Sequence, residues 1–259
     1  MPSQNKRVCV FGDSHFARTR TAMTIGAVDA ADVTVEFWGN IGKRFRYLTW
    51  RNDQIEPLDN FTALRFAKTN VMGRQVLNTT DFDMVLFMGC RIDVYRLFPE
   101  LLFRRRTAAY RLSAGVELRV IQDFLHRLPP YQFARNFAAQ KKARIVVAPV
   151  SFNTDGFADN IPARFVAAMD ATADDRQAVW NAIREVMKDD GLELLAQPEE
   201  TIVNGCFTDP AFAVKNYQQR NDRTHKNAYY GALILNEALR SLRANEPVNS
   251  AVDVVDSAS

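Results

Sequence analysis

Arg7-Val8-Cys9-Val10-Phe11-Gly12-Asp13-Ser14-His15 is the stretch on which the reading of this chain turns. Arg7 to Phe11 is a short, β-branched apolar run that ends at Gly12, the pattern of a buried strand. A helix-compatible stretch follows to about Ala30, with Asp13 or Ser14 placed to cap it. A serine between a strand and a helix has a second use. Backbone N–H groups at the helix start point toward it, and the helix dipole favours negative charge developing there.

Working outward, further apolar runs alternate with helical stretches. Val33 to Trp38 reads as a strand closed by Gly39 and Asn40. Met84 to Met88 reads as a third strand, ended by Gly89. Ala143 to Pro149 and Leu192 to Leu195 complete the set. Helices are expected over about Val94 to Ala139, broken near Pro129 and Pro130, over Asp174 to Lys188, and from near His225 to about Arg243. The region from Ile41 to Thr80 mixes aromatic, basic and turn-forming residues and reads as an insertion with short strands and one short helix. This alternation predicts an α/β fold: a three-layer α/β/α sandwich around a mostly parallel five-stranded sheet. Residues 1–243 then form one domain with an insertion around 41–80, and 244–259 form a polar, disordered tail.

Ligands bind outside the carboxyl ends of such strands. Gly12-Asp13-Ser14, Gly39-Asn40 and Gly89-Cys90-Arg91 all fall at predicted strand ends, so one sheet edge should collect all three.

Composition sets the frame. With 259 residues, 47% apolar and 24% charged, the chain can bury a full core without disulfides or metals. The three cysteines lack metal-ligand spacing, and Cys9 and Cys90 sit in apolar runs like small buried hydrophobes. No stretch is long enough to span a bilayer, and the N-terminus does not read as a signal peptide. The expectation is a cytoplasmic protein with no membrane partner. The net charge of +3 is weak, but Arg104 to Arg106 and the Lys43–Arg51 stretch are basic. They read as solvated faces or as anion-attracting patches. No nucleic-acid recognition motif accompanies them. The phosphate-loop, dinucleotide and G-x-S-x-G fingerprints are absent.

Serine needs an adjacent base to act as a nucleophile. Three histidines are available. His15 is Ser14's neighbour in sequence, and neighbouring side chains do not face each other on a helix. His126 lies in a predicted helix and reads as structural. His225 ends a long loop, and Asp222 precedes it by three residues. In a helical first turn that spacing puts both on one side, where the carboxylate can fix the imidazole tautomer. Asp222 reads equally well as a helix cap, as Ser14 does.

In order and context, these blocks resemble the SGNH (GDSL-type) hydrolase superfamily, in a divergent bacterial form with a Gly-Asp-Ser-His opening. Gly12-Asp13-Ser14 is similar to its first block, Gly39 to its second, Gly89 to its third and Asp222-x-x-His225 to its last. The resemblance spans about Arg7 to Leu239. It implies a Ser14–His225–Asp222 triad acting on esters, with oxyanion donors from Ser14, Gly39 and the third block. The family's third-block asparagine is replaced by Arg91, whose guanidinium could donate in its place, bind an anionic substrate group, or mark lost activity. Asn40 is an alternative amide. His15 and Arg18 are candidate substrate contacts, and Arg18 reads equally as a surface arginine.

The resemblance implies an esterase or O-deacetylase acting on a small-molecule or carbohydrate ester, with no cofactor and no metal. An acyltransferase in surface-polysaccharide modification, with acyl-CoA as donor, is the first alternative. A non-catalytic binding protein on the same fold is the second. The oligomeric state is left open.

Overall fold

A computed structural model describes residues 5–40, 42–157 and 163–245. Five strands form one parallel sheet: β1 (Lys6–Gly12), β2 (Val33–Gly39), β5 (Met84–Gly89), β6 (Arg144–Pro149) and β7 (Glu193–Leu194). Their spatial order is β2-β1-β5-β6-β7. This is the flavodoxin-like doubly wound order, with its switch point between β1 and β5.

Alternation along β1 creates the layers. Val8 and Val10 face one side and Cys9 and Phe11 the other, all fully buried. The first pair packs under α1 (Phe16–Thr24) and α7 (Ala228–Ala244), with Ile234, Leu235 and Leu239 of α7 closing that layer. The second pair joins the larger core, with Phe66, Phe87, Phe137 and Trp180. That core lies beneath α2 (Asn60–Thr69), α3 (Phe98–Arg106), α4 (Ala114–His126), α5 (Pro129–Ala139) and α6 (Ala173–Asp189). Each such side chain contributes roughly 1.5–3 kcal/mol by leaving water. Burial on both faces explains why these strands read as continuous apolar runs.

The expected helix over 94–139 is three helices. Pro129 and Pro130 open α5, where a missing N–H costs nothing. The break between α3 and α4, at residues 107–113, is not signalled by proline. Helix α1 stops at Thr24 rather than near Ala30, because Gly26 turns left-handed (φ 72°). The last helix starts at Ala228, not near His225. Its cap is Asn227, whose side chain accepts the Tyr230 N–H at 3.1 Å.

The 41–80 region does hold short strands and one helix. Hairpin strands β3 (Leu48–Arg51) and β4 (Gln54–Pro57) lead into α2, which Asp59 caps. The long loop after β7 contains a second hairpin, β8 (Ile202–Val203) with β9 (Phe207–Thr208). Ile41 and the tail from 246 lie outside the described residues. Ala244 is still helical, and Asn245 takes the left-handed C-cap. Among the described residues, no helix is long and apolar enough to cross a membrane.

Candidate active site

Gly12 pairs in register with Gly39 on one side and Met88 on the other. The three expected loops therefore leave the sheet at one edge. Gly39 is fixed by this close approach. Its φ is +149°, and a Cβ there would lie 1.8 Å from the Gly12 carbonyl oxygen. Beyond β5, the chain makes a left-handed turn through Gly89, Cys90 and Arg91 (φ 72°, 51° and 56°). For the two non-glycine residues this costs roughly 1–2 kcal/mol each. A Cys90 Sγ–Phe11 carbonyl hydrogen bond at 3.0 Å helps hold the turn.

Ser14 does not cap α1. The residue before the helix is His15, and no side chain caps it. The Ser14 Oγ instead lies 2.7 Å from His225 Nε2. His225 Nδ1 lies 2.8 Å from Asp222 Oδ1, and the same oxygen accepts the His225 backbone N–H at 3.1 Å. Burial raises the Asp222 carboxyl, but the hydrogen bonds and charge of His225 outweigh it, so the group lies below its ordinary range. The two residues are brought together by a turn before α7, not by the first turn of a helix.

That turn is pinned from below. Asp222 N–H donates to the Tyr217 carbonyl (2.8 Å), and Thr154 N–H donates to the Arg223 carbonyl (2.7 Å). The buried Lys226 Nζ donates to the carbonyls of Arg223 and Thr224 and to Thr154 Oγ1, at 3.1–3.2 Å. Burial lowers its pKa to about 7, against a smaller opposing pull from Asp222. No sequence pattern marks Lys226, since a lysine at a helix start ordinarily faces water.

A second carboxylate–imidazole pair lies beside the first. Asp13 Oδ1 accepts the His15 backbone N–H at 3.1 Å and meets His15 Nδ1 at 2.6 Å. The His15 ring stacks on His225, with centroids 5.0 Å apart and planes 21° apart. Its Nε2 is buried without a partner among the described residues. Gly89 makes room for it, because a Cβ there would stand 2.8 Å from His15 Cβ and Cγ. Burial raises Asp13, but His15 and then Arg91 bring it below its ordinary range. Asp93 is a neighbour that sequence reading did not single out. Burial raises its carboxyl, partly offset by Arg96 at 3.3 Å.

Other expected site residues are occupied elsewhere. Gly39 N–H, expected to serve an oxyanion, donates to Thr69 Oγ1 at 3.2 Å. Asn40 is buried, and its amide donates to the Thr62 carbonyl at 3.1 Å. This bond ties the loop after β2 to α2. Arg91 bridges the three loops: Nη2 donates to the Gly42 carbonyl at 3.0 Å, and Nε lies 3.9 Å from Asp13 Oδ2. Arg18 is exposed and joins His15 in lining a small cavity against α7. His126 sits apart, with Asp190, Tyr131 and Arg135. The basic run Arg104–Arg106 is no anion patch, as it pairs with Glu100, Glu117 and Asp175.

No protein-family model matches the chain, and a search of curated proteins returned no match. Two solved structures are similar over most of its length. One shares 16% identity at a TM-score of 0.41, covering 92% of this chain and 97% of its own. The other, an extracellular lipase from Streptomyces rimosus, shares 12% at a TM-score of 0.42, covering 91% and 99%. Likeness this distant leaves the chemistry to be argued from the residues themselves.

Proposed function

We propose that this chain is a serine-dependent acyl-ester hydrolase of SGNH type. The observation that carries the reading is the continuous Ser14–His225–Asp222 hydrogen-bonded chain, at 2.7 and 2.8 Å. In this reading Ser14 Oγ attacks the acyl carbonyl and His225 Nε2 takes its proton. Asp222 holds Nδ1 and stabilises the imidazolium. His225 then protonates the departing alkoxide, leaving an acyl–Ser14 ester, and a water activated by His225 releases the acid.

The oxyanion donors differ from those expected of the family. Ser14 N–H, at the start of α1, is the first donor we assign. With Gly39 committed to Thr69, positive charge from Arg91 supplements it. The family resemblance suggests an acylated carbohydrate as substrate class, and a sugar hydroxyl replacing water would make the enzyme a transferase.

A fluorophosphonate probe tests the reading. Wild type labels at Ser14, and Ser14→Ala, folded by circular dichroism, does not. Absence of labelling in folded wild type would point to the binding-protein alternative. Release of p-nitrophenol from p-nitrophenyl acetate only when a sugar acceptor is present would assign transfer rather than hydrolysis.

A further inference from the structure

Half of the large apolar side chains exposed among the described residues lie between residues 47 and 72. Four of them, Tyr47, Leu58, Phe61 and Leu64, form one surface. Tyr47 and Leu58 are joined by a 2.8 Å bond from Leu58 N–H to the Tyr47 carbonyl. The Arg44 guanidinium lies over both the Tyr47 ring (5.1 Å) and the Phe61 ring (4.5 Å). Leu64 stands one turn beyond Phe61 on α2. These four side chains are 45–57% exposed, where a surface helix and its approach ordinarily show polar residues.

The charges around them have one predominant sign. Arg65 also lies over the Phe61 ring, at 5.0 Å, and Lys43, Arg46 and Lys68 are exposed nearby in sequence. Arg44 is paired with Asp59 at 3.2 Å, which leaves the others to set the potential. Basic side chains beside exposed aliphatic and aromatic ones are the composition of an interfacial helix.

From this juxtaposition we infer that the outer face of α2 and the hairpin before it form a docking surface for an anionic phospholipid bilayer. Acyl chains take Leu58 and Leu64, and headgroup phosphates take the basic rim. A second copy would set like charges against each other. Nucleic acid stacks on open ring faces, and here guanidinium groups already cover the Phe61 ring. The absence of a bilayer-spanning stretch bears only on crossing a membrane, not on lying against one. The segment directly follows β2, and the Gly42 carbonyl is tied to Arg91. Docking would therefore hold the Ser14 edge of the sheet near the bilayer.

Cosedimentation of the full chain with vesicles tests this. The two vesicle types are phosphatidylcholine alone and phosphatidylcholine with about 30% phosphatidylglycerol. Binding is expected to the anionic vesicles, and to fall about tenfold or more in about 0.5 M salt. Phe61→Ser/Leu64→Ser and Arg65→Glu/Lys68→Glu each lower it about tenfold, with Ser14 labelling unchanged. These positions are exposed, so the fold is not at risk, and circular dichroism checks it. Equal binding to both vesicle types, or anionic binding that neither double variant weakens, overturns the inference. So does a dimer in sedimentation velocity that Phe61→Ser/Leu64→Ser dissociates, or RNA homopolymer binding in place of vesicle binding.

Discussion

Two carboxylate–imidazole pairs stand ring on ring at the edge of this sheet, built by the same local device and set to different ends. In each, one carboxylate oxygen meets both the backbone N–H and the Nδ1 of its histidine. The spacing differs by one residue, Asp13-x-His15 against Asp222-x-x-His225. The surroundings differ more. The side chains of Asp13 and His15 are 4% and 14% exposed, and those of Asp222 and His225 are 15% and 35%. His225 Nε2 meets a serine hydroxyl, whereas His15 Nε2 is buried and meets nothing described. An imidazole held by a carboxylate is therefore only half of a catalytic device. The other half is what its second nitrogen faces and whether substrate can reach it.

The largest expected effect breaks the proposed triad at its serine end. Ser14→Ala or His225→Ala should lower p-nitrophenyl acetate turnover on the order of 10⁴–10⁶-fold. Retained turnover in both would remove the triad. Next, Asp222→Asn keeps the shape but offers His225 Nδ1 the wrong partner, and roughly 10³–10⁴-fold should be lost from kcat. Asp13→Asn sharpens the comparison. The His15 ring stacks on His225, and neither Asp13 nor His15 makes a side-chain hydrogen bond to Ser14 among the described residues, so turnover should fall only about tenfold, and urea unfolding should show a loss of about 1–3 kcal/mol. A loss as large as that of Asp222→Asn would make the two pairs catalytic equals.

The smallest effect concerns what lies under the Asp222–His225 pair. Burial holds the folded Lys226 amine at about 7, against the 10.5 expected of an exposed lysine. Between those values the unfolded chain binds a proton that the folded chain does not. Stability from this group therefore rises with pH across that window and is flat below it. Lys226→Met should remove that slope, read as the difference between wild-type and variant urea midpoints from pH about 7 to about 8.5. A slope unchanged by the substitution would mean that the amine titrates as an ordinary exposed lysine.

The main strands were legible because burial on both faces leaves uninterrupted apolar runs, as in Val33 to Trp38 and Met84 to Met88. That the three loops meet followed from the rule that parallel strands present their carboxyl ends at one edge, whereas the order of the strands is given only by the structure. Helix ends were less legible. Residues 107–113 hold no proline, and their one start signal, Ser113 at the N-cap of α4, makes no side-chain cap bond; the start of α7 at Ala228 depends on Asn227 acting as cap while Asp222 turns to His225. Single residues at the edge were hardest to read. Gly39 and Asn40 read as site residues by position, and nothing local foretells that their N–H and amide meet Thr69 and Thr62 of α2. The insertion's packing against β2 is a long-range fact that local pattern does not carry.

By itself the sequence determined the parallel α/β architecture, the strand–turn–helix setting of Ser14, and the Asp222–His225 spacing. These depend on local periodicity, turn chemistry and chain order. Only the tertiary structure decided that Ser14 Oγ meets His225, that Asp13 and His15 stack behind it, that Arg91 ties three loops together, and that Lys226 lies buried under the turn. Each of those depends on side chains brought together across the fold, where distance, burial and the loss of solvent set the chemistry.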